Sequence, residues 1–394
     1  MSELELELAE RATPAVWVTA ITVGDVPVDL DRVFSSLSVR HGRDDVDGPI
    51  QATTATLVLR RITRGELPDF EVGLELRIES TFTAASGRPM FEGVITDATL
   101  SDDDPDEPRL ELIATGPLAI AGRRSVAGHA WPAEPWKARV ERILAEAGLA
   151  GTVTAASPDV PIAATVPDDP EAGTFASMSA LDALELARQD VGATAFDEAG
   201  QVVVQAFEGR RDLFPTLTVD PSLVFYSPPW SKTLDVANRI VLGYGYGAGT
   251  VSVDDPVSQA RFGIRWTGLF DSGLADQGTA QSRALEWLDR VAYPRWKLPA
   301  VSLLEPLDLN IGQMIELSRL PASAPYPSWS PVVEGWTDTV EGDLWTQSVV
   351  VSDPVLSGLA LAWQDVTATL LWQDVDPACL WRDAFLLSNL EGSA

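Results

Sequence analysis

The residues of this chain that could do chemistry are two histidines, one cysteine and 58 carboxylates. His41 and His129 fall in different stretches, so neither a zinc site nor a Ser-His-Asp triad has the ligands or the base it needs. No G-x-S-x-G, H-E-x-x-H or C-x-x-C occurs. His129, beside Trp131 and Pro132, reads as a loop histidine. Gly243–Thr250, GYGYGAGT, resembles a dinucleotide loop after a strand. Such a loop must lead into a helix whose N-terminus faces the pyrophosphate. TVSVDDP follows instead, so the stretch reads as a glycine- and tyrosine-rich strand or hairpin. Asp44–Gly48 and Asp102–Glu107 gather carboxylates without calcium-loop spacing and read as solvated acidic loops. A carboxylate pair acting on sugars is conceivable among so many acids, but no spacing selects one. The sequence predicts no catalytic residue, no cofactor and no metal.

Composition narrows the function classes. The 28 basic and 58 acidic residues give a formal charge of −30. Such a charge favours solubility and repels nucleic acid and anionic membrane. Specific nucleic-acid binding needs clustered Lys and Arg, which are absent. An acidic surface does suit one role: a wall past which DNA slides without sticking. With Cys379 the only cysteine, no intrachain disulfide forms, which fits a reducing compartment. MSELELELAERA lacks the basic and apolar regions of a signal peptide. No apolar run approaches the roughly 20 residues that span a bilayer, so no membrane insertion is expected.

The elements are mostly strands, and one group of them occurs twice. GLELRIES from Gly73, FEGVITDATL from Phe91 and RLELIATGP from Arg109 are matched by GQMIELS from Gly312, VEGWTDTVE from Val333 and TQSVVVSDP from Thr346. In each, a glycine opens an alternating strand, Glu-Gly and Thr-Asp follow, and the last strand ends one residue before a proline. The differences are insertions, which loops tolerate. Around these lie further alternating stretches at Val16–Val23, Val33–Arg40 and Thr53–Arg61. Helical spacing marks Glu134–Leu149, Ser179–Val191 and Gln277–Ala292, and ATAF-DEAG-QVVVQAF reads as a hairpin. The fold class predicted is mainly β with an α+β insertion: two related antiparallel β-barrel domains flanking a small α+β domain. The expected domains are 1–122, a first β-barrel; 123–212, the inserted α+β unit; 213–355, a second β-barrel with one helix; and 356–394, a tail.

That tail reads WQDVTATLL, WQDVDPACL and WRDAFLLSN. Trp363, Trp372 and Trp381 recur every nine residues, which fits neither a helix nor an uninterrupted strand. Three short extended segments each place one indole, and so short a tail cannot bury three. The expectation is that Trp363, Trp372 and Trp381 anchor the tail on a partner; the alternative is that the tail folds back on its own domain.

The order of these motifs resembles that of hub, or tail-tip, proteins of tailed bacteriophages, particularly the minor tail proteins of phages of actinobacteria. Thr53–Leu59, GLELRIES and FEGVITDATL are similar to the first hub barrel. Glu134–Leu149, SALDALELARQDVGATAFDEAGQVVV from Ser179 and DDPVSQARFGIR from Asp254 follow in the family's order, and LNIGQMIEL with VVEGWTD resembles its closing barrel. The resemblance covers about residues 15–355. It implies a structural virion protein of the tail tip, assembled in the host cytoplasm, and no enzyme. It implies a homotrimer whose two like β-domains per copy form a pseudo-sixfold, tube-like ring. That ring would join the sixfold tail tube to threefold tip components around the channel for DNA ejection. Its partners would be tail tube and distal tail proteins, tip or spike proteins and the tape measure protein. The alternatives are a receptor- or carbohydrate-binding tail module, for which 13 tryptophans would be suited, and a tail-associated cell-wall hydrolase.

Overall fold

The computed structural model describes residues 18–353 apart from 31–33, 46–47, 82, 84–86, 102–107, 127–129, 155–158, 166–177, 207–215, 221–223, 227–228, 233, 299, 321, 323, 327 and 343. The first third is β: β1 (Val18–Val23), β2 (Val26–Pro27), β3 (Phe34–Gly42), β4 (Thr54–Arg60), β5 (Glu75–Ser80), β6 (Phe91–Ser101) and β7 (Arg109–Thr115). The alternation seen in the sequence is what drives it. In β4, Ala55, Leu57 and Leu59 are fully buried while Thr54, Thr56 and Val58 are not, as a half-buried strand requires.

The middle follows with α1 (Pro117–Ala121), α2 (Trp136–Glu146), β8 (Gly151–Thr154), α3 (Ala180–Val191), β9 (Thr194–Glu198) and β10 (Gln201–Gln205). The stretch expected to be helical from Glu134 begins only at Trp136. Glu134 precedes a proline, which disfavours helical backbone, and Glu134–Pro135 pairs instead with Pro161–Ile162. The Ser179 side chain caps α3 by accepting the Asp182 N–H at 3.0 Å, and Gly192 at φ +65° ends it. The expected hairpin is β9–β10, with β8 added parallel to β10.

The last third comprises β11 (Leu217–Val219), β12 (Val224–Tyr226), β13 (Arg239–Tyr244), β14 (Gly249–Asp254), α4 (Pro256–Phe262), β15 (Trp266–Leu269), α5 (Gln277–Val291), β16 (Ala300–Leu303), β17 (Ile315–Leu317), β18 (Val332–Glu341) and β19 (Leu344–Ser352). The GYGYGAGT stretch is the hairpin turn between β13 and β14, as its sequence suggested.

An open sheet of eleven strands runs through the molecule in the order β12-β16-β19-β18-β3-β4-β7-β6-β5-β1-β2, curling as a half-barrel. The two copies of the sequence repeat stand in it with the same plan. In the first, β4 pairs β7, β7 pairs β6 and β6 pairs β5. In the second, β16 pairs β19 and β19 pairs β18, while β17 stands outside this sheet, paired parallel with β11 and bridged to β18 and the segment before it at Met314–Val332 and Leu317–Trp329. Gly73 donates to the Ile95 carbonyl and Ile95 to that of Leu74; Gly312 donates to Val333 and Val333 to Gln313. Register shifts follow at once, between Ile95 and Asp97 and between Val333 and Gly335. The spatial repeat is therefore real, but the shared Glu-Gly is out of step with it. Ile95 lies two residues after Gly93, whereas its counterpart Val333 lies two residues before Gly335. Strand pairing, not the dipeptide, defines the equivalence.

The cores follow these units. One fills the first β-unit and takes in Val340 and Trp345 from the β18–β19 hairpin. Another lies under β16–β19. The third joins α2, α3 and the β9–β10 hairpin to Ile240, Leu242, Val251, Ala280 and Leu288, so β13, β14 and α5 share the core of the middle segment.

Candidate functional site

The two β-units meet where β3 pairs antiparallel with β18, from Ser36–Glu341 to Gly42–Gly335. Against this junction stand the β9–β10 hairpin and the loop 307–311, and a cleft opens where the three meet. His41 and Trp336, direct partners across the two strands, stack with ring centroids 4.6 Å apart. Asp338, one pair further along that face, is buried. Its Oδ1 accepts from Trp345 Nε1 and Gln347 Nε2, both at 3.0 Å, and its Oδ2 from Trp336 Nε1 at 2.9 Å. Burial pushes this carboxyl up to about 6, against the pull of those donors. The His41 Nε2 lies 3.9 Å from Asp338 Oδ2. Burial, aided by the Arg88 charge, drops His41 to about 3, so the ring is neutral at pH 7.

Two further groups tie the three parts together. Arg88, in the loop before β6, donates to Glu198 of the hairpin, to Asp308 Oδ1 at 2.7 Å and to Asn310 Oδ1 at 2.8 Å. Asp197 is buried beside it in sequence and accepts two backbone N–H groups from the first unit: Thr53 on Oδ2 at 2.8 Å and Leu118 on Oδ1 at 2.9 Å. Burial raises Asp197 to about 7. All five carboxylates lining the cleft are thus engaged, since Glu92 also accepts from Arg77 at 3.2 Å. These contacts draw the β9–β10 hairpin, the loop 307–311 and the two β-units together at the cleft.

A second polar node lies in the middle core. Arg139, on α2, is buried and donates to Glu134 Oε1 at 2.8 Å, to the Pro132 and Ala163 carbonyls and to Tyr246 Oη at 2.7 Å. Tyr246 sits in the β13–β14 turn at φ +52°. Asp190 accepts the Gly273 N–H at 3.0 Å and burial raises it to about 7. The glycine- and tyrosine-rich turn is therefore a clamp between segments.

Among the described residues no group of three or more His, Cys, Asp or Glu is placed to hold a metal. Trp363, Trp372 and Trp381 lie outside the described residues, as do His129, Cys379 and the acidic loop 102–107. His41 was visible in the sequence only as a histidine without partners, and Asp338 only as half of the Thr-Asp pair. Arg88 and Asp197 carried no signal, because their partners are over 70 positions away.

No family model matches this sequence, and no curated protein matches it. Its fold does have solved counterparts. A 43 kDa tail protein of prophage MuSo2 from Shewanella oneidensis superposes with a TM-score of 0.60 at 9% identity, over 86% of this chain and 99% of that one. A tail protein from Neisseria meningitidis MC58 gives 0.61 at 14% identity, over 86% and 98%. The Escherichia coli c3393 protein, a type VI secretion component described as similar in structure to the T4 phage tail proteins gp27 and gp5, gives 0.53 at 12%, over 85% and 77%. This chain shares its fold with these tail proteins, as the order of its sequence motifs implied.

Proposed function

We propose that this chain is a structural protein of a phage tail tip. Three copies form a ring that presents six similar β-units to the sixfold tail tube and keeps threefold symmetry toward the tip, around the channel through which DNA leaves. The observation that carries this reading is the internal duplication: the strand orders β4-β7-β6 and β16-β19-β18 lie side by side in one sheet, joined by β3 and β18. A duplicated chain reconciles six with three because each copy supplies two like surfaces. The fold shared with tail proteins supports the same role, and the charge of −30 suits a channel wall that DNA must not adhere to. The partners in this reading are tail tube and distal tail proteins on one side and tip or spike proteins on the other.

The mass of the purified chain by light scattering, with negative-stain images of the same peak, tests it. A trimeric ring with a central hole and sixfold-like outline is expected. A stable monomer that also fails to ring when mixed with tail tubes would overturn it. The carbohydrate-binding alternative draws little from the described tryptophans: of nine, only Trp266 is exposed.

A further inference from the structure

That one exposed tryptophan is not isolated. β15 is the last strand of a three-stranded sheet, paired on one side with β13 in parallel register, Arg239–Trp266 to Leu242–Leu269. Along and beside it Ile264, Trp266 and Phe270 are 61%, 62% and 49% exposed, and Val257 on α4 is 65% exposed. The Trp266 and Phe270 rings touch edge to face with centroids 6.4 Å apart. Among the described residues the other edge of β15 has no strand partner, and apolar side chains along such an edge are a template for another extended segment. Beside them in sequence, the exposed Arg261 lies over the Phe262 ring at 5.1 Å and the exposed Arg265 donates to the Phe262 carbonyl at 3.3 Å, and among the described residues no ion pair to a carboxylate involves either.

We propose that the segment carrying Trp363, Trp372 and Trp381 docks along the outer edge of β15, placing an indole against Trp266 and Phe270 and an aspartate toward Arg261 or Arg265. Each segment has Trp followed two positions on by Asp: Trp363 and Asp365, Trp372 and Asp374, Trp381 and Asp383. In an extended chain, residues two apart project to one side, so each repeat offers an indole and a carboxylate together. The run 261–270 offers exposed aromatic rings and guanidinium groups within ten residues, the complement in both apolarity and charge. Residues 354–394 span roughly 130 Å when extended, enough to reach any face of a chain this size. Three repeats compete for one edge, which favours occupancy by raising the local concentration of a suitable segment. This inference stands apart from the ring reading and holds whether or not the chain trimerises.

Cys379, two residues from Trp381, makes the test clean, because one added cysteine creates a single possible intrachain pair. Full-length Ile264→Cys and Phe270→Cys would be oxidised under mild conditions beside Leu344→Cys, an equally exposed site on the second β-unit. A disulfide to Cys379 should form roughly tenfold faster from position 264 or 270 than from 344. Replacing Asp365, Asp374 and Asp383 by Asn in the same background should remove most of that advantage. A dimer linked between chains from position 264 or 270 to Cys379, identified by peptide mapping, would also support the docking and assign the tail to a neighbouring copy. Equal rates from all three positions would overturn the proposal. So would an advantage that survives in a chain with Trp363, Trp372 and Trp381 all changed to Ala.

Discussion

At the scale of the residue, the chain keeps its charges where they hold parts together. Asp190, Asp197 and Asp338 are raised by burial to about 7, 7 and 6. A folded pKa above the ordinary value of 3.8 means that the folded protein binds a proton the unfolded chain does not yet hold. Each such group contributes stability that is full below about pH 3.8 and is lost as pH rises through the raised value. His41 works the other way: lowered to about 3, its contribution is full above 6.5 and is lost as pH falls toward 3. Three carboxyls outweigh one imidazole, so stability should rise as pH is lowered from 7 toward 5. Asp197→Asn should flatten that rise, measured as melting temperature across a pH series. It should also cost about 1–3 kcal/mol at neutral pH, because the amide NH2 would face one of the two N–H donors from Thr53 and Leu118.

At the scale of the element, the crossing of β3 and β18 is where the two units become one sheet, and two features make it tight. Glu334 is fully buried; its Oε2 accepts Arg43 Nε at 3.0 Å and Nη2 at 2.7 Å, and its Oε1 accepts the Ser352 hydroxyl at 2.6 Å. Removing one partner strands a buried charge, so Arg43→Ala should lower unfolding free energy by about 3–5 kcal/mol. The double change Arg43→Leu with Glu334→Leu should cost clearly less than Arg43→Ala combined additively with Glu334→Ala, as denaturant titration would show. The second feature is backbone contact. A Cβ at Gly335 would stand 2.5 Å from the His41 carbonyl oxygen, and one at Gly42, itself at φ +71°, 2.4 Å from that of Glu334. Backbone cannot swing aside as a side-chain tip can. Gly335→Ala should therefore destabilise the chain by about 1–3 kcal/mol or more, and hydrogen exchange should show the loss concentrated in β3 and β18 rather than in α5.

At the scale of the whole molecule, the open sheet and the charge bear on assembly. Three copies at −30 each bring together like charges that oppose association. If the ring forms as proposed, added salt should strengthen it, since screening shortens to about 8 Å at 0.15 M ionic strength. Sedimentation in low and moderate salt checks this: the trimer fraction should increase with salt. A fraction that falls with salt would mean that specific ion pairs between copies dominate over net repulsion.

Much of this architecture is written in local pattern. Alternation in β4, β5 and β7, the Ser179 cap and Gly192 stop of α3, and the two-residue turn Ala199–Gly200 of the β9–β10 hairpin each act within a few residues, so the chain alone determined those elements. The short α4 helix was not predicted from spacing; it forms behind Pro256 at its first turn, with the Asp255 carboxylate accepting the Ser258 N–H at 2.9 Å. The repeat was legible as two runs of like strands, but its register was not, because Glu-Gly falls at different points of the two bulges. Tertiary structure alone decided three things: that β3 pairs with β18, that β13, β14 and α5 join the middle core, and that Arg88, Asp197 and Asp338 converge on His41. Hydrogen bonds between distant strands depend on which edges meet after collapse. A lone arginine or aspartate bears no trace in its own neighbourhood of a partner more than a hundred residues away.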